Sequence, residues 1–148
     1  MVRADTTIEI RTARDPGELD DALALRHAVF CQEQGVAPDL DRDRRDDEAL
    51  HLVAVRGDEV VGTCRLLVEA GVARLGRLAV NRECRRLGIG AALVAAARDS
   101  AERAGARRIV LSAQTHATGV YAGQGFTASG EPFQEAGIEH VHMERDVA

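Results

Sequence analysis

The sequence predicts an α/β (α+β) fold, with a mixed, mostly antiparallel sheet of six to seven strands flanked by about four helices. Three observations predict it. The β-type runs 50–55, 60–69 and 72–80 are separated only by tight-turn residues, the mark of an antiparallel meander. An alanine-rich amphipathic stretch, 88–104, follows the third run across a glycine-containing loop. "RRIVLSAQ", 107–114, is then apolar along most of its length, as befits a central strand parallel to 72–80 and reached by a helical crossover.

The remaining elements follow in chain order. "TTIEIRTA" (6–13) alternates branched apolar and polar residues, as an opening strand does. Asp15, Pro16 and Glu18 announce a helix, with an N-cap aspartate, a proline at the first helical position and a capping-box-like glutamate. That helix is expected to run to about Gln34, with Leu19, Leu23, Arg26, Phe30 and Glu33 on one face. Two ionisable residues thus fall on an otherwise apolar stripe. Gly35 and Pro38 break the pattern, and 35–49 reads as a loop. In the helix 88–104 the expected apolar face is Ile89, Ala92, Leu93, Ala96 and Ala101, small enough to lie close against a sheet, and Gly105 ends it. A short helix around 117–124 precedes two strands, 125–131 and 138–147, joined by "PFQEAG". No repeat or linker interrupts the chain, so one domain over 1–148 is expected.

Composition narrows the function. With 148 residues, 45% hydrophobic and 29% charged, the chain has the balance of a soluble globular domain that buries its own core. No apolar run is long enough to span a bilayer, and "MVRADTTIEIRTARD" lacks the apolar centre of a signal peptide. A cytoplasmic location and no membrane partner are expected. Cys31, Cys64 and Cys84 suggest neither a disulfide framework nor a zinc ligand set, and no metal is expected. All 19 basic residues are arginine, which excludes Schiff-base lysine chemistry. The net charge of −5 argues against nucleic acid as a partner. Charge is nevertheless uneven, since 74–86 holds five arginines against one glutamate, and 39–48 six acids against three arginines. A small anionic ligand suits the first stretch. The second reads as a solvated acidic loop that attracts a cationic amine; its D-x-D-x-D start lacks the glycine and final glutamate of a calcium loop.

The loop at 82–91 carries the chemistry. A helix N-terminus leaves backbone N–H groups unpaired and concentrates about half a positive charge. Gly88 and Gly90 let those amides approach an anion, and Arg82, Arg85 and Arg86 surround the same concavity. Several consecutive amides suit a diphosphate. The stretch is neither a Walker P-loop, having no lysine, nor a dinucleotide fingerprint, having no third glycine. A plain strand–helix connection with solvated arginines is the alternative.

"Arg85-Arg86-Leu87-Gly88-Ile89-Gly90-Ala91" resembles the R/Q-x-x-G-x-G/A signature of the GNAT superfamily of N-acetyltransferases, preceded as in that family by a strand ending "RLAV". "VYAGQGF" (120–126) is similar to the family's L-Y-x-x-x-G-F element. "LRHAVFCQEQGV" (25–36), "AQTHATGVYAGQGF" (113–126) and "FQEAGIEHVHM" (133–143) resemble the ElaA-like and YjcF-like branch. The resemblance covers nearly the whole chain. It implies a single GNAT-like domain with acetyl-CoA (coenzyme A) as co-substrate. It places the diphosphate on the amides of Arg85, Arg86, Leu87, Gly88, Ile89, Gly90 and Ala91. It sets the pantetheine arm along Leu78, Ala79 and Val80, and the thioester in a gap where strand 72–80 splays from 107–114. It also allows a homodimer through the C-terminal strands.

Acyl transfer from a thioester to an amine needs a neutral amine, a donor for the developing oxyanion and a proton for the departing thiolate. The resemblance implies the backbone N–H near Val80 as that donor and Tyr121, the chain's single tyrosine, as the acid. Tyr121 read without it is a core aromatic with a satisfied hydroxyl. Glu33 reads as a catalytic carboxylate, a contact to the substrate amine alongside Arg26 and Phe30, or half of a structural ion pair. His140 reads as the base or as a structural strand histidine, His51 and His116 are weaker candidates, and a water chain replaces all of them in a base-free scheme. Alternatives to an acetyltransferase are a transferase using a longer acyl donor, a non-catalytic acyl-CoA sensor and a nucleotide-binding protein. "LRHAVF" is also distantly similar to the start of acyl-homoserine-lactone synthases, although so short a chain leaves little room for a long acyl pocket.

Overall fold

A computed structural model describes residues 7–148; Thr6, at which the first predicted strand begins, lies outside the described residues. Seven strands form one sheet, β1 (Ile8–Thr12), β2 (Leu50–Arg56), β3 (Glu59–Glu69), β4 (Val72–Val80), β5 (Arg108–Gln114), β6 (Thr127–Glu135) and β7 (Ile138–Asp146). They lie in the order β1-β2-β3-β4-β5-β7-β6. Every pairing is antiparallel except β4 with β5. The four α-helices are α1 (Pro16–Arg26), α2 (Pro38–Asp41), α3 (Ile89–Arg103) and α4 (Thr118–Ala122). The α/β expectation, with its meander and parallel crossover, is therefore observed.

The meander follows from its turns. Ala70 and Gly71 both adopt positive φ (50° and 79°), the pairing that a two-residue turn between right-twisted strands requires. Ala136 and Gly137 repeat it (53° and 77°) between β6 and β7. "PFQE" thus belongs to β6 and only two residues form the connection, a correction to the expected boundary. Pro132, which argues against a strand, is accommodated in a bulge between Ser129 and Phe133 on an edge strand, where its missing N–H costs no ladder bond.

The helix expected to reach Gln34 changes character part-way. Asp15 caps it as predicted, its Oδ1 accepting from Glu18 N at 2.9 Å, but the Glu18 carboxylate turns to Arg14 N and the Arg11 guanidinium instead of Asp15. After Arg26 the chain widens into a π-helical segment, His27–Glu33, whose end is marked by Gln34 N bonding to Val29 O, five residues back. The buried stripe is Ala22, Leu25, Arg26 and Val29, departing from the expected face already within α1, with Phe30 half-buried and Glu33 exposed. Residues 35–49 are likewise not plain loop: they contain α2 and a 3₁₀ turn at Arg44–Asp47.

Two apolar layers sandwich the sheet. On one face Ile89, Leu93, Val94 and Ala97 of α3 pack over Leu52, Cys64, Leu66 and Ile109; on the other Ala22, Leu25 and Val29 cover Val53, Val55, Val60 and Ala79. A fully buried side chain such as Leu93 contributes about 1.5–3 kcal/mol. Ala92, expected on the buried face, is exposed, and Val94 and Ala97 take its place. The close approach of α3 depends on Gly62, where an added Cβ would sit 2.9 Å from Ile89 Cγ2 and 3.0 Å from Leu93 Cδ1.

One irregularity positions everything that follows. Thr63 pairs with Ala79 and Arg65 with Gly76, so two β4 residues, Arg77 and Leu78, face the single residue Cys64. This β-bulge, with Arg77 at φ 55°, bends β4. Beyond Val72–Arg74 the strand leaves its parallel partner, which it pairs only at Arg108–Val110, and a gap opens between β4 and β5.

Candidate active site

The loop between β4 and α3 is shaped by its backbone. Asn81 Oδ1 accepts from Glu83 N and starts a 3₁₀ turn at Arg82–Cys84. Arg86 (φ 67°) and Gly88 (φ 80°) then adopt the left-handed region. Only glycine does so freely; for Arg86 it costs about 1–2 kcal/mol. Gly88 is the N-cap of α3 yet has no side chain to cap with, and the first helical bond runs from Ala92 N to Gly88 O. The N–H groups of Ile89, Gly90 and Ala91 therefore have no hydrogen-bond partner among the described residues, and these residues line a cleft of about 900 Å³. A Cβ at Gly90 would make only ordinary contacts, 3.8–4.0 Å, with Val120, Leu78 and Val80, so the glycine widens the cleft there without relieving a clash.

The gap between β4 and β5 continues this cleft. Asn81 N bonds Val61 O across to β3 at 2.8 Å, so the alternation of an antiparallel ladder turns the N–H and C=O of Val80 the other way, into the gap. The Val80 carbonyl accepts from Arg85 Nε at 3.1 Å. Leu78, Ala79 and Val80 all line the cleft. On the α3 side of the gap stands Tyr121, packed edge-on to Phe126 with ring centroids 6.1 Å apart. Its hydroxyl has no hydrogen-bond partner among the described residues, and burial pushes its pKa up to about 12, so the phenol stays protonated across the physiological range.

The opposite wall comes from β5 and β7. Val141 and Met143 belong to the core on the α3 side, so His140 and His142 point to the other face, level with Gln114 and Ser112 of β5. His140 Nδ1 donates to Ile138 O at 2.7 Å, which leaves the Nε2 lone pair free, 3.6 Å from a Glu135 carboxylate oxygen; Phe133 stacks on the ring. Gln34 and Gln114 exchange side-chain amide bonds of 2.8 and 3.3 Å, and His116 bonds Gln114 at 2.7 Å. All of these except Phe133 line the cleft. The glutamines were not singled out in the sequence, although both lie in stretches quoted for the family resemblance.

A family model described as acetyltransferase (GNAT) domain matches residues 18–147. The chain belongs to the GNAT family. The Bacillus subtilis N-acetyltransferase YjcF is 33% identical over 135 residues, covering 90% of this chain and 96% of YjcF. Among solved structures, an acyl-CoA N-acyltransferase from Pseudomonas aeruginosa superposes with TM-score 0.82 at 30% identity, and Escherichia coli ElaA with 0.83 at 27%, each over 94% of this chain and 99% of the other. The chain is thus a GNAT N-acetyltransferase of the ElaA/YjcF branch, an enzyme of the acyl-CoA-dependent N-acyltransferase class. The site fits such a co-substrate: three helix amides and the cationic Arg86, all without a partner among the described residues, lie along one cleft with an unpaired strand edge.

Within the GNAT cleft several expected residues fall elsewhere. Arg26, read as a substrate contact, is only 1% exposed and lies outside the cleft, bonded to Asp41 Oδ1 (3.1 Å), Asp41 O (2.6 Å) and Asp46 Oδ1 (2.7 Å). The stretch 39–48 is correspondingly a solvated acidic loop only in part, at exposed positions such as Asp39 and Asp47. Asp41 pairs with Arg26 and Arg77, Asp43 with Arg65 and Arg77, and Asp46 with Arg26 and Arg65. His51 joins this network through Asp46 O. The arginines hold Asp46 at a pKa of about 2 against the opposing effect of its burial. A negative patch for a cationic amine is thereby largely neutralised. Glu33 forms an ion pair, with Arg85 at 2.9 Å and not with Arg26, and its side chain does not line the cleft. Arg85 is consequently a tether from the π-helical segment to Val80, less mobile than expected. Leu87, 64% exposed, points away from the cleft. Phe30 does line it. Among the described residues no three His, Cys, Asp or Glu side chains gather to hold a metal, and no helix is long and apolar enough to cross a membrane.

Proposed function

We propose that the enzyme moves an acetyl group from acetyl-CoA to a primary amine by direct attack in a ternary complex. One observation carries this reading: the amides of α3 and the hydroxyl of Tyr121, without partners among the described residues, belong to residues lining the same cleft, at the place where β4 and β5 part.

The amides of Ile89, Gly90 and Ala91, with Arg86, hold the diphosphate. The free edge of β4 at Leu78 and Val80 pairs with the pantetheine arm, which brings the thioester into the gap. His140 Nε2, with its lone pair free, accepts the proton that makes the amine nucleophilic; Glu135 alongside favours a cationic partner there. As the amine nitrogen bonds the carbonyl carbon, the Val80 N–H stabilises the negative charge growing on oxygen. The C–S bond then breaks, and Tyr121 donates its proton to the leaving sulfur. A thiol such as cysteine ionises near 8.5, so transfer from a phenol near 12 to a free thiolate would be uphill by about 5 kcal/mol. Tyr121 therefore acts within the bond-breaking step, as hydrogen-bond donor and proton source together.

A thiol-release assay tests the reading, with acetyl-, propionyl- and hexanoyl-CoA against amines, amino sugars, amino acids and peptides. Turnover with acetyl-CoA that is highest of the three supports it. Tight coenzyme A binding by calorimetry without turnover on any acceptor would point to a sensor. No binding of coenzyme A at all would overturn the scheme.

A further inference from the structure

The cleft extends past the gap onto the sheet face that α1 leaves uncovered, and its charges there are unevenly matched. Six arginines line it: Arg45, Arg65, Arg74, Arg77, Arg85 and Arg86. Arg45 is paired with Glu48 and Glu69, Arg65 with Asp43 and Asp46, Arg77 with Asp41 and Asp43, and Arg85 with Glu33. Arg86 belongs to the diphosphate end. Arg74 remains, with no carboxylate partner among the described residues.

Its position makes that vacancy informative. Arg74 is the last β4 residue paired with β5 before the strands separate, opposite Val110. Ala73 and Leu75 sit in the core on the α3 side, so Arg74 projects from the other face, the one that carries Ser112, Gln114, His140 and His142. The acids within reach along the ladder are already engaged. Glu69 is held by Arg45, and Glu144, opposite Val110 on β7, is held by His142 at 3.1 Å and Arg108 at 3.8 Å. Leu78 lies four positions beyond Arg74, at most about 13 Å along a strand that the bulge shortens. A guanidinium offers five donors in a fork that matches a carboxylate.

Resting on the acyl-transfer reading above, we infer that the acceptor is an amine that also bears a carboxylate, an amino-acid-class molecule, with Arg74 receiving the acid group while the amine sits at the gap beside His140. Asp41, the one acid of 39–48 that lines the cleft, is already paired with Arg26 and Arg77 and offers a polyamine nothing comparable.

The test compares amino acids, among them lysine and 5-aminopentanoate, with their amides and decarboxylated amines as acceptors of the acetyl group. The wild-type enzyme should prefer the acids. Arg74→Gln should raise KM for a carboxylate-bearing acceptor about 10- to 100-fold, the range of one charged hydrogen-bonded pair, and bring acid and amide close to parity. Arg74→Lys should recover part of the preference, since it restores charge without the fork. KM for acetyl-CoA should not move in either variant. A wild-type preference for the amides or decarboxylated amines, or an acid-to-amide ratio unaltered by Arg74→Gln, overturns the inference while leaving acyl transfer standing. So does a panel in which coenzyme A binds and only amines without a carboxylate are acylated. Absence of coenzyme A binding would strike the acyl-transfer reading itself.

Discussion

Replacing Arg26 by methionine should destabilise the enzyme by about 3 kcal/mol without changing its affinity for acetyl-CoA. The guanidinium makes four hydrogen bonds, to Asp41 Oδ1, Asp41 O and both carboxylate oxygens of Asp46, at 2.6–3.2 Å. The Asp41 side chain is 2% exposed, so the substitution strands a carboxylate that water cannot reach. Breaking such a pair costs about 3–5 kcal/mol. The lower end applies because Arg77 stays 3.7 Å from Asp41 and Arg65 stays 3.1 Å from Asp46. In urea, with a slope of about 2 kcal/mol/M, the unfolding midpoint should fall by about 1.5 M. Adding Asp41→Asn should cost less than the sum of the two single changes, by at least about 1 kcal/mol, because the amide no longer needs a cation. A midpoint shift below about 0.3 M, or strict additivity, would refute the reasoning. A raised KM for the acceptor in the folded variant would return Arg26 to the substrate site.

Four further outcomes are expected. Tyr121→Phe should lower kcat by about 10²–10³-fold and leave the coenzyme A dissociation constant unchanged, read by steady-state kinetics beside calorimetry; unchanged turnover removes Tyr121 from the mechanism. Gly62→Ala places a Cβ 2.9 Å from Ile89 Cγ2, so thermal unfolding should show a loss of about 1–3 kcal/mol, and coenzyme A binding should weaken because Ile89 opens α3. Gly88→Ala, at φ 80°, should cost about 1 kcal/mol and loosen the diphosphate site, whereas Gly90→Ala should leave stability nearly intact. Asp46 has a pKa of about 2 in the folded protein against about 3.9 unfolded, so the unfolded chain binds more protons between those values. Its contribution, full above about pH 5 and up to about 2.5 kcal/mol before solvent screening, should be largely lost as pH falls to 2; Asp46→Asn should flatten that part of a stability–pH curve.

Much of this enzyme was legible in the order of its residues because the relevant physics is local. Asp15 and Pro16 start a helix, Ala70-Gly71 closes a hairpin, and Gly88 turns a strand into a helix with bare amides, each within a few residues of chain. The antiparallel meander, the parallel crossover and the bare helix amides of the proposed anion site follow from such signals. Charge partners are a different matter, since they join residues far apart in sequence. Arg26 reaches Asp41 and Asp46, Arg77 reaches back to Asp41 and Asp43, and Glu33 reaches Arg85. Periodicity says only which side of a helix a residue occupies, and even there the buried side, Ala22 and Leu25, differs from the one expected. Only the folded sheet, bent by the bulge at Arg77, decided which acids of 39–48 are neutralised and which arginines of the cleft, Arg74 and Arg86, have no carboxylate partner among the described residues. Coulomb energy depends on distance through space, and distance through space is what a sequence does not carry.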